Sequence, residues 1–415
     1  MMLPCRPQTV EIPGVPPQLL EALIAAAAGQ RLALVGGAVR DLLLHRVHND
    51  PWRGLPDLDL VVEGQADDLV ERLQLPASAR PHGAFGTVEL ELQLHGQPPD
   101  QPNTWLVDLA SARQEVYPQP AENPRVQLGR LDDDLARRDF SVNAMALLLA
   151  GDGSDAVLLD PHGGQADLAL RQLRLLHPRS LQDDPTRLVR AARYSARLGF
   201  ALAPESVQQA AATLAAWPWP WTPGDDPALA PPALGTRLRM ELELLLEREP
   251  WRQALAALQA WGGLALLDAR LQADRHWRRR LAWAQRLGLP LLAALLAGAA
   301  DPLALAERLQ LPHRQHKLLA QLLELRRRLA ASSPGCPSAW CALLEAPGLS
   351  PEAVALALAA GNGPRRPLLH WWARWRHLPA PLSAAELMAR EGLKPGPSLG
   401  ERLRQLRAER LDQLA

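Results

Sequence analysis

Two aspartates stand one residue apart in PDLDLVV: Asp57 and Asp59, flanked by Leu58, Leu60, Val61 and Val62. In a strand, side chains alternate, so carboxylates two apart share a face. The apolar neighbours make that strand mostly buried, where a pair of aspartates needs a partner that offsets their desolvation. Mg2+ is such a partner: Asp57 and Asp59 would hold it with hard oxygen ligands and leave coordination positions for nucleotide phosphates. Some twenty residues upstream, LVGGAVRDLLL describes a strand, a Gly36–Gly37 turn and a helix that opens with Arg40 and Asp41. Glycines at a helix N-terminus let backbone N–H groups approach a triphosphate closely, and Arg40, one turn in, adds a charged contact. The chemistry implied is phosphoryl transfer, with one metal ion polarising an attacking hydroxyl and another the departing pyrophosphate. Alone, a Gly-Gly turn is an ordinary strand-to-helix connection; the same-face Asp pair downstream gives it weight.

GGAVRD, the Asp-Leu-Asp strand and RRDFSVNAMAL at Arg137–Leu147 resemble the head domain of class II tRNA nucleotidyltransferases, the CCA-adding enzymes, whose relatives include bacterial poly(A) polymerases. The resemblance continues through LDPHGGQADL, DDPTRLVRAARYSARLGF and TRLRMELELLL, and reappears in LKPGPSLGERL near the C-terminus, so it covers nearly the whole chain. It implies an α+β head with the mixed sheet of the DNA polymerase β nucleotidyltransferase fold, followed by an all-α neck, body and tail. The expected divisions are a catalytic head at 1–150, a neck with a base-reading helix at 151–250, a body at 251–350 and a tRNA-binding tail at 351–415. The activity implied is untemplated addition of CCA to the 3′ end of tRNA from CTP and ATP, with release of pyrophosphate.

The resemblance assigns further residues. Asp108, in the alternating strand WLVDLA, stands where the wider superfamily has a third carboxylate, as a metal ligand or as a residue that orients one. Arg138, Asp139 and Asn143 are placed on the triphosphate and ribose: guanidinium forks match phosphate, and a carboxylate accepts from a 2′-hydroxyl. Base choice falls to DDPTR. Asp184 and Arg187, three apart, are expected on one face of a helix, with Arg187 donating to the base edge and Asp184 accepting the exocyclic amine shared by cytosine and adenine. The family has Glu-Asp at this step, where this chain has Asp183-Asp184. Arg190 and Arg193 continue that face toward the triphosphate or the RNA end. Without the resemblance, each of these groups would be an ordinary surface charge or salt bridge.

The elements that must position these residues are short strands mixed with helices up to about residue 150, including Val88–Leu94 and Thr104–Ala110, then helical periodicity from Asp183 onward. The Pro-rich stretch Trp217–Pro232 interrupts the helices, and its tryptophans are expected to pack rather than bind. Formal charge is zero over 415 residues, with 45 basic and 45 acidic side chains. Residues 1–150 carry 12 Arg and no Lys against 20 Asp and Glu, which leaves 33 basic and 25 acidic residues beyond. An acidic head suits bound cations and a basic remainder suits RNA. RHWRRR at Arg275–Arg280, LPHRQHK at Leu311–Lys317 and LRRRL at Leu325–Leu329 are candidate phosphate contacts, with a solvated helix face as the alternative for each. Cys5, Cys336 and Cys341 form no disulfide framework and no zinc spacing, the N-terminus does not read as a signal peptide, and the apolar run at Leu287–Ala300 is too short to span a bilayer. A cytoplasmic enzyme with no membrane or protein partner is the expectation.

Four other outcomes share these motifs. Partial enzymes add only CC or only A; in the family a flexible loop governs the switch from C to A, and Glu115–Leu135 looks full-length for it. Poly(A) synthesis fits less well, because FGTVELEL resembles the tRNA-type head and the chain is not strongly basic. An inactive RNA-binding relative would not need the complete set Gly36, Gly37, Asp57, Asp59, Arg138 and Asp184. A small-molecule nucleotidyltransferase would not need the long helical remainder.

Overall fold

The computed structural model describes residues 11–54, 57–82, 86–94, 103–149 and 157–413. Cys5, and Phe85 of the FGTVELEL segment, lie outside them. The chain divides into two compact units that meet between Pro220 and Trp221, inside the Pro-rich stretch. The four-part division expected from the sequence is finer than these two units.

The first unit is built on a seven-stranded mixed sheet. Its strands are β1 (Leu32–Val35), β2 (Leu58–Val62), β3 (Ala77–His82), β4 (Thr87–Gln93), β5 (Thr104–Ser111), β8 (Ala146–Leu149) and β9 (Val157–Leu159), in the order β3-β4-β5-β2-β1-β8-β9. Only β2 and β5 run parallel; every other neighbouring pair is antiparallel. A separate hairpin pairs β6 (Arg113–Val116) with β7 (Arg125–Leu128), and β10 (Gln172–Leu173) pairs with β11 (Ala201–Leu202). The helices are α1 (Pro17–Ala27), α2 (Gly37–His48), α3 (Ala66–Arg72), α4 (Leu131–Ala136), α5 (Gly164–Ala169), α6 (Ser180–Asp183), α7 (Thr186–Leu198) and α8 (Pro204–Ala216). The expected strand at 88–94 is β4, displaced by one residue at both ends, and the one at 104–110 is β5, longer by one residue.

One sheet face carries Ala33, Val35, Val61, Ala112 and Ala146, sealed by Leu131 and Leu135 of α4. Alternation puts Asp59 on the same face as Val61, and Asp108 on the same face as Ala112. The carboxylates therefore stand on the α4 side of the sheet, Asp59 half-buried and Asp108 exposed, and α4 leads directly into Arg137-Arg138-Asp139.

The second unit is helical throughout. Thr236–Arg248 buries Leu238, Leu242 and Leu245, spaced at four and three residues, which is one face of a helix. Pro351–Ala360 is buried from Ala353 to Ala359 and packs against Trp277–Arg286 and His313–Ala331. A helix apolar all round has to be interior. Its N-terminus is capped by the Ser350 hydroxyl, which accepts from Ala353 N at 3.3 Å.

Three buried or half-buried arginines hold this unit together. Arg280 donates to the carbonyls of Ala294 (2.6 Å) and Leu295 (3.2 Å) and pairs with Asp274 at 2.7 Å. Arg308 donates to Leu266 and Leu267, and Arg326 donates to Ala297. Each meets carbonyls in or just past the last turn of a helix, where intrahelical donors run out, although the Leu295 carbonyl also accepts from Gly298 N at 3.1 Å. Burial pulls the guanidinium pKa of both Arg308 and Arg326 down to about 10. Of the basic clusters expected to face RNA, RHWRRR thus gives Arg280 to the core and LRRRL commits Arg326 to a helix end. Arg275, Arg278, Arg279, Arg314, Lys317 and Arg327 remain exposed.

Candidate active site

β1 ends at Val35 and the chain reverses through Gly36 into α2. Gly36 has φ +69° and ψ −134°, a region that a side chain tolerates poorly. It is also crowded: a Cβ there would lie 3.2 Å from Arg138 NH1 and 3.5 Å from Asp59 Oδ2. Three sequence-predicted residues therefore converge on one spot, with the glycine as floor. Gly37 opens the helix beside Arg40, whose NH2 would lie 3.4 Å from a Cβ at that position.

Asp59 lies within β2, and in the register of the sheet it faces Asp108 of β5, which in turn faces Glu89 of β4. Asp57 sits just before the strand, exposed, in a turn where Asp59 N donates to Asp57 O at 3.1 Å. Burial, opposed by Arg138, and then the charges of Asp108 and Asp57 raise the Asp59 carboxyl to about 6. Mutual repulsion among hard oxygen donors is what a bound cation relieves, so these residues fit a divalent metal. Among the described residues no group of three or more His, Cys, Asp or Glu is gathered closely enough to enclose an ion. A site that must also accept phosphate oxygens needs those open positions.

Arg138 is held by a residue outside the motifs. Asp134, fully buried, accepts from Arg138 NH2 at 2.8 Å and from Arg137 NH2 at 2.6 Å. Burial alone would raise its pKa, but the two guanidiniums outweigh this and hold it below the usual carboxylate range. Glu115 on β6 accepts from Arg137 NH1 at 3.0 Å. The 134/137/138 spacing of a helical turn in LDDDLARRDF is the signal in the sequence that points to Asp134.

Asp139, Asn143, Arg40 and Arg190 form a second linked set. Asp139 accepts from Phe140 N (2.9 Å), Asn143 Nδ2 (3.1 Å) and Arg190 Nε (2.8 Å); burial raises its pKa, and Arg190 with Asn143 more than reverses the effect. Arg40 NH1 donates to Asn143 Oδ1 at 2.8 Å, and its other nitrogens engage Asp41. Arg40 is only 4% exposed and lies 5.6 Å from the centre of the Tyr194 ring, as a positively charged group stacked on an aromatic face. Its observed work is to bind α2 to the Asn143 turn.

The DDPTR step departs from expectation. Asp184 is not helical: it is extended (φ −145°, ψ 96°), between α6 and α7. Pro185 disfavours the helical conformation for the residue before it. Asp184 Oδ1 instead accepts from Thr186 N (3.0 Å) and Thr186 Oγ1 (2.6 Å), so it caps α7 rather than sharing a helix face with Arg187. Arg187, 4% exposed, lines a cavity of about 400 Å3 with Asp183, Arg179, His177, Arg137, Glu115 and Tyr117. Arg193 is buried on α7, and Arg190 is turned to Asp139. The segment 115–135 is a β6–β7 hairpin leading into α4, tied by Ala121 N to Asp183 O and by Leu131 N to Glu63. Trp219 is buried and donates its indole N–H to Gln182 O, in keeping with the packing expectation for the Trp-Pro stretch.

A Gly-floored turn beside paired carboxylates on a mixed sheet, with an Arg-Arg-Asp step alongside, defines a nucleotidyltransferase. The Poly A polymerase head domain family is matched over residues 32–174. The CC-adding tRNA nucleotidyltransferase of Deinococcus radiodurans is 40% identical over 364 residues, which cover 83% of this chain and 84% of that protein. The A-adding tRNA nucleotidyltransferase of the same organism is 32% identical over 254 residues, 59% of this chain and 46% of that one. Among solved structures, a CCA-adding enzyme in apo form II superposes with a TM-score of 0.69 over 97% of this chain and 93% of that one, at 23% identity. The chain belongs to the tRNA nucleotidyltransferase family, and the mixed-sheet head followed by helices is the fold of that family.

Proposed function

We propose that this chain transfers nucleotides from CTP and ATP to the 3′ end of tRNA, releasing pyrophosphate and building the CCA terminus without a template. The observation that carries this reading is the convergence of Gly36, Asp59 and Arg138, with Asp108 and Asp57 close enough to raise the Asp59 pKa. Asp57 and Asp59 would hold the metal, Mg2+ in this reading, with Asp108 a third carboxylate beside them. When bound, the metal supplies charge neutralisation for the triphosphate and activation of the 3′-hydroxyl. Arg138, anchored by Asp134, presents a fixed guanidinium to the phosphates beside the Gly36 turn. Asp139 and Asn143, locked to Arg190 and Arg40, present a rigid polar edge for the ribose. Arg187 reads the base edge from the wall of the cavity, with Asp183 beside it, while Asp184 fixes the start of the helix that carries Arg187. The exposed arginines of the helical unit supply sequence-independent contacts to tRNA, and the reaction belongs in the cytoplasm, where tRNA is processed.

Full CCA addition is the product that the sequence resemblance implies. A narrower product, CC alone, is favoured by one observation: a relative 40% identical over most of both chains is a CC-adding enzyme. The two differ at a single step, addition of A to a CC end. Three tRNA transcripts, ending before the CCA, after C and after CC, each given CTP, ATP or both with Mg2+, separate them at single-nucleotide resolution. CCA on the bare transcript marks full addition, arrest at CC marks the narrower enzyme, and extension of the CC transcript alone marks A addition. No extension of any transcript would refute the assignment.

A further inference from the structure

The wall of the cavity holds a residue that neither the family motifs nor the proposed reaction uses. His177, half-buried, places Nε2 3.5 Å from Arg187 NH1. The Arg187 guanidinium is otherwise held from behind, by Arg137 O at 2.9 Å on NH2 and by Ser180 O at 3.4 Å on NH1. The backbone of His177 is itself pinned: its N–H donates to Ser180 Oγ, and its carbonyl accepts from Ser180 N and from Gln209 Nε2. The ring therefore sits on a fixed stem and faces a donor-only partner. An imidazole nitrogen facing a guanidinium N–H has to present its lone pair, which leaves the proton on Nδ1.

We propose that His177 is a positioning residue for nucleotide selection: its neutral ring steers the Arg187 guanidinium so that the remaining donors point into the cavity toward the base. The inference rests on Arg187 reading the base. A carboxylate at this place would neutralise Arg187 and take up its donors; a neutral acceptor steers it and leaves the charge available for substrate. The titratable groups facing the ring are Arg187 on α7, Arg179 just before α6, Asp183 on α6 and His162 in the turn before α5, with Glu115 on β6 and Asp133 and Arg137 of the α4 segment on the cavity wall. Burial first and the Arg187 charge second lower the His177 pKa, and Asp183 only partly opposes them. The neutral form thus prevails at pH 7, and acid places a second cation against Arg187.

The test is single-nucleotide extension of a tRNA transcript by the full chain, with CTP and UTP compared from pH 5.5 to 8. His177→Phe keeps the ring and removes the acceptor. Its KM for CTP is expected to rise about ten-fold, with a similar loss of preference over UTP and a much smaller change in kcat, the scale of one lost hydrogen bond to a charged group. His177→Gln supplies an acceptor that does not titrate; it is expected to recover most of the preference and to flatten its loss in acid, a ratio in which the Asp59 titration common to both nucleotides cancels. A wild-type KM and preference in His177→Phe, or a wild-type acid loss of preference in His177→Gln, would overturn the proposal. Arg187→Ala separates the two levels. If that variant keeps the preference for CTP, base reading at this cavity fails and the role of His177 with it. If it loses the preference while His177→Phe does not, only the role of His177 fails.

Discussion

Arginine does different work in the two units. Beside the sheet, Arg137 and Arg138 share Asp134, and Arg190 pairs with Asp139, so guanidiniums are aimed by carboxylates at a site rich in further carboxylates. In the helical unit, Arg280, Arg308 and Arg326 end on backbone carbonyls where helical turns stop. The first arrangement leaves charge facing the proposed site; the second commits it to the fold. A cluster of arginines in the sequence does not reveal which of these it serves.

Substitutions can break the contrast at its strongest point first. Asp59→Asn should abolish nucleotide transfer, by about three orders of magnitude or more, because in the proposed reaction its carboxylate holds the metal at the centre of the chemistry. The same variant should be more stable than wild type at pH 7 in metal-free buffer. A carboxyl whose pKa is raised from 3.8 unfolded to about 6 folded costs stability as pH rises between those values and carries the full penalty above 6, so removing the charge removes that penalty at pH 7. Thermal melts with and without divalent metal, beside single-turnover extension, check both halves.

Asp134→Ala should be the most destabilising change in the first unit, by about 3–5 kcal/mol, because it leaves Arg138 without its buried counter-ion and Arg137 with Glu115 alone. Urea unfolding of the wild type and the variant measures this. Wild-type stability should also decline as pH falls below about 4, since Asp134 and Asp139 have depressed folded pKa values and their contribution is lost as they protonate. Asp134→Asn should flatten that decline.

Arg280→Met sharpens the other side. It should lower stability by about 2–3 kcal/mol through unsatisfied helix-end carbonyls and an unpaired Asp274, with kcat retained at a temperature where the variant is folded. A selective loss of tRNA affinity in folded Arg280→Met would return Arg280 to the RNA-facing group. The smallest expected effect is Gly36→Ala, at about 1–2 kcal/mol for a Cβ at φ +69°, with a rise in KM as Arg138 shifts.

The legible part of the sequence is local. The Gly36–Gly37 turn, the Asp57–Asp59 pair and the 137–139 step each declare themselves within a few residues, but the strand begins at Leu58, so it carries Asp59 alone and leaves Asp57 in the turn before it. The convergence of Gly36 on Asp59 and Arg138 emerges only with the antiparallel β1–β2 pairing. Helical spacing misplaces Asp184 because it runs through Pro185, whose ring turns the preceding residue extended. Asp134 is hidden within a run of three aspartates, of which burial singles out one. Arg280 and Arg326 look like their neighbours because they donate to backbone carbonyls, which leave no mark in a sequence; only Asp274, the ion-pair partner of Arg280, is a side chain.

The most direct test of the central claim compares wild type with Asp59→Asn on one tRNA transcript lacking its CCA end, measuring transcript binding and CTP-dependent extension in the same preparation. The account predicts that both bind the transcript and that only the wild type extends it. Extension by Asp59→Asn at the wild-type rate would contradict the assignment of the carboxylate site as the centre of the reaction.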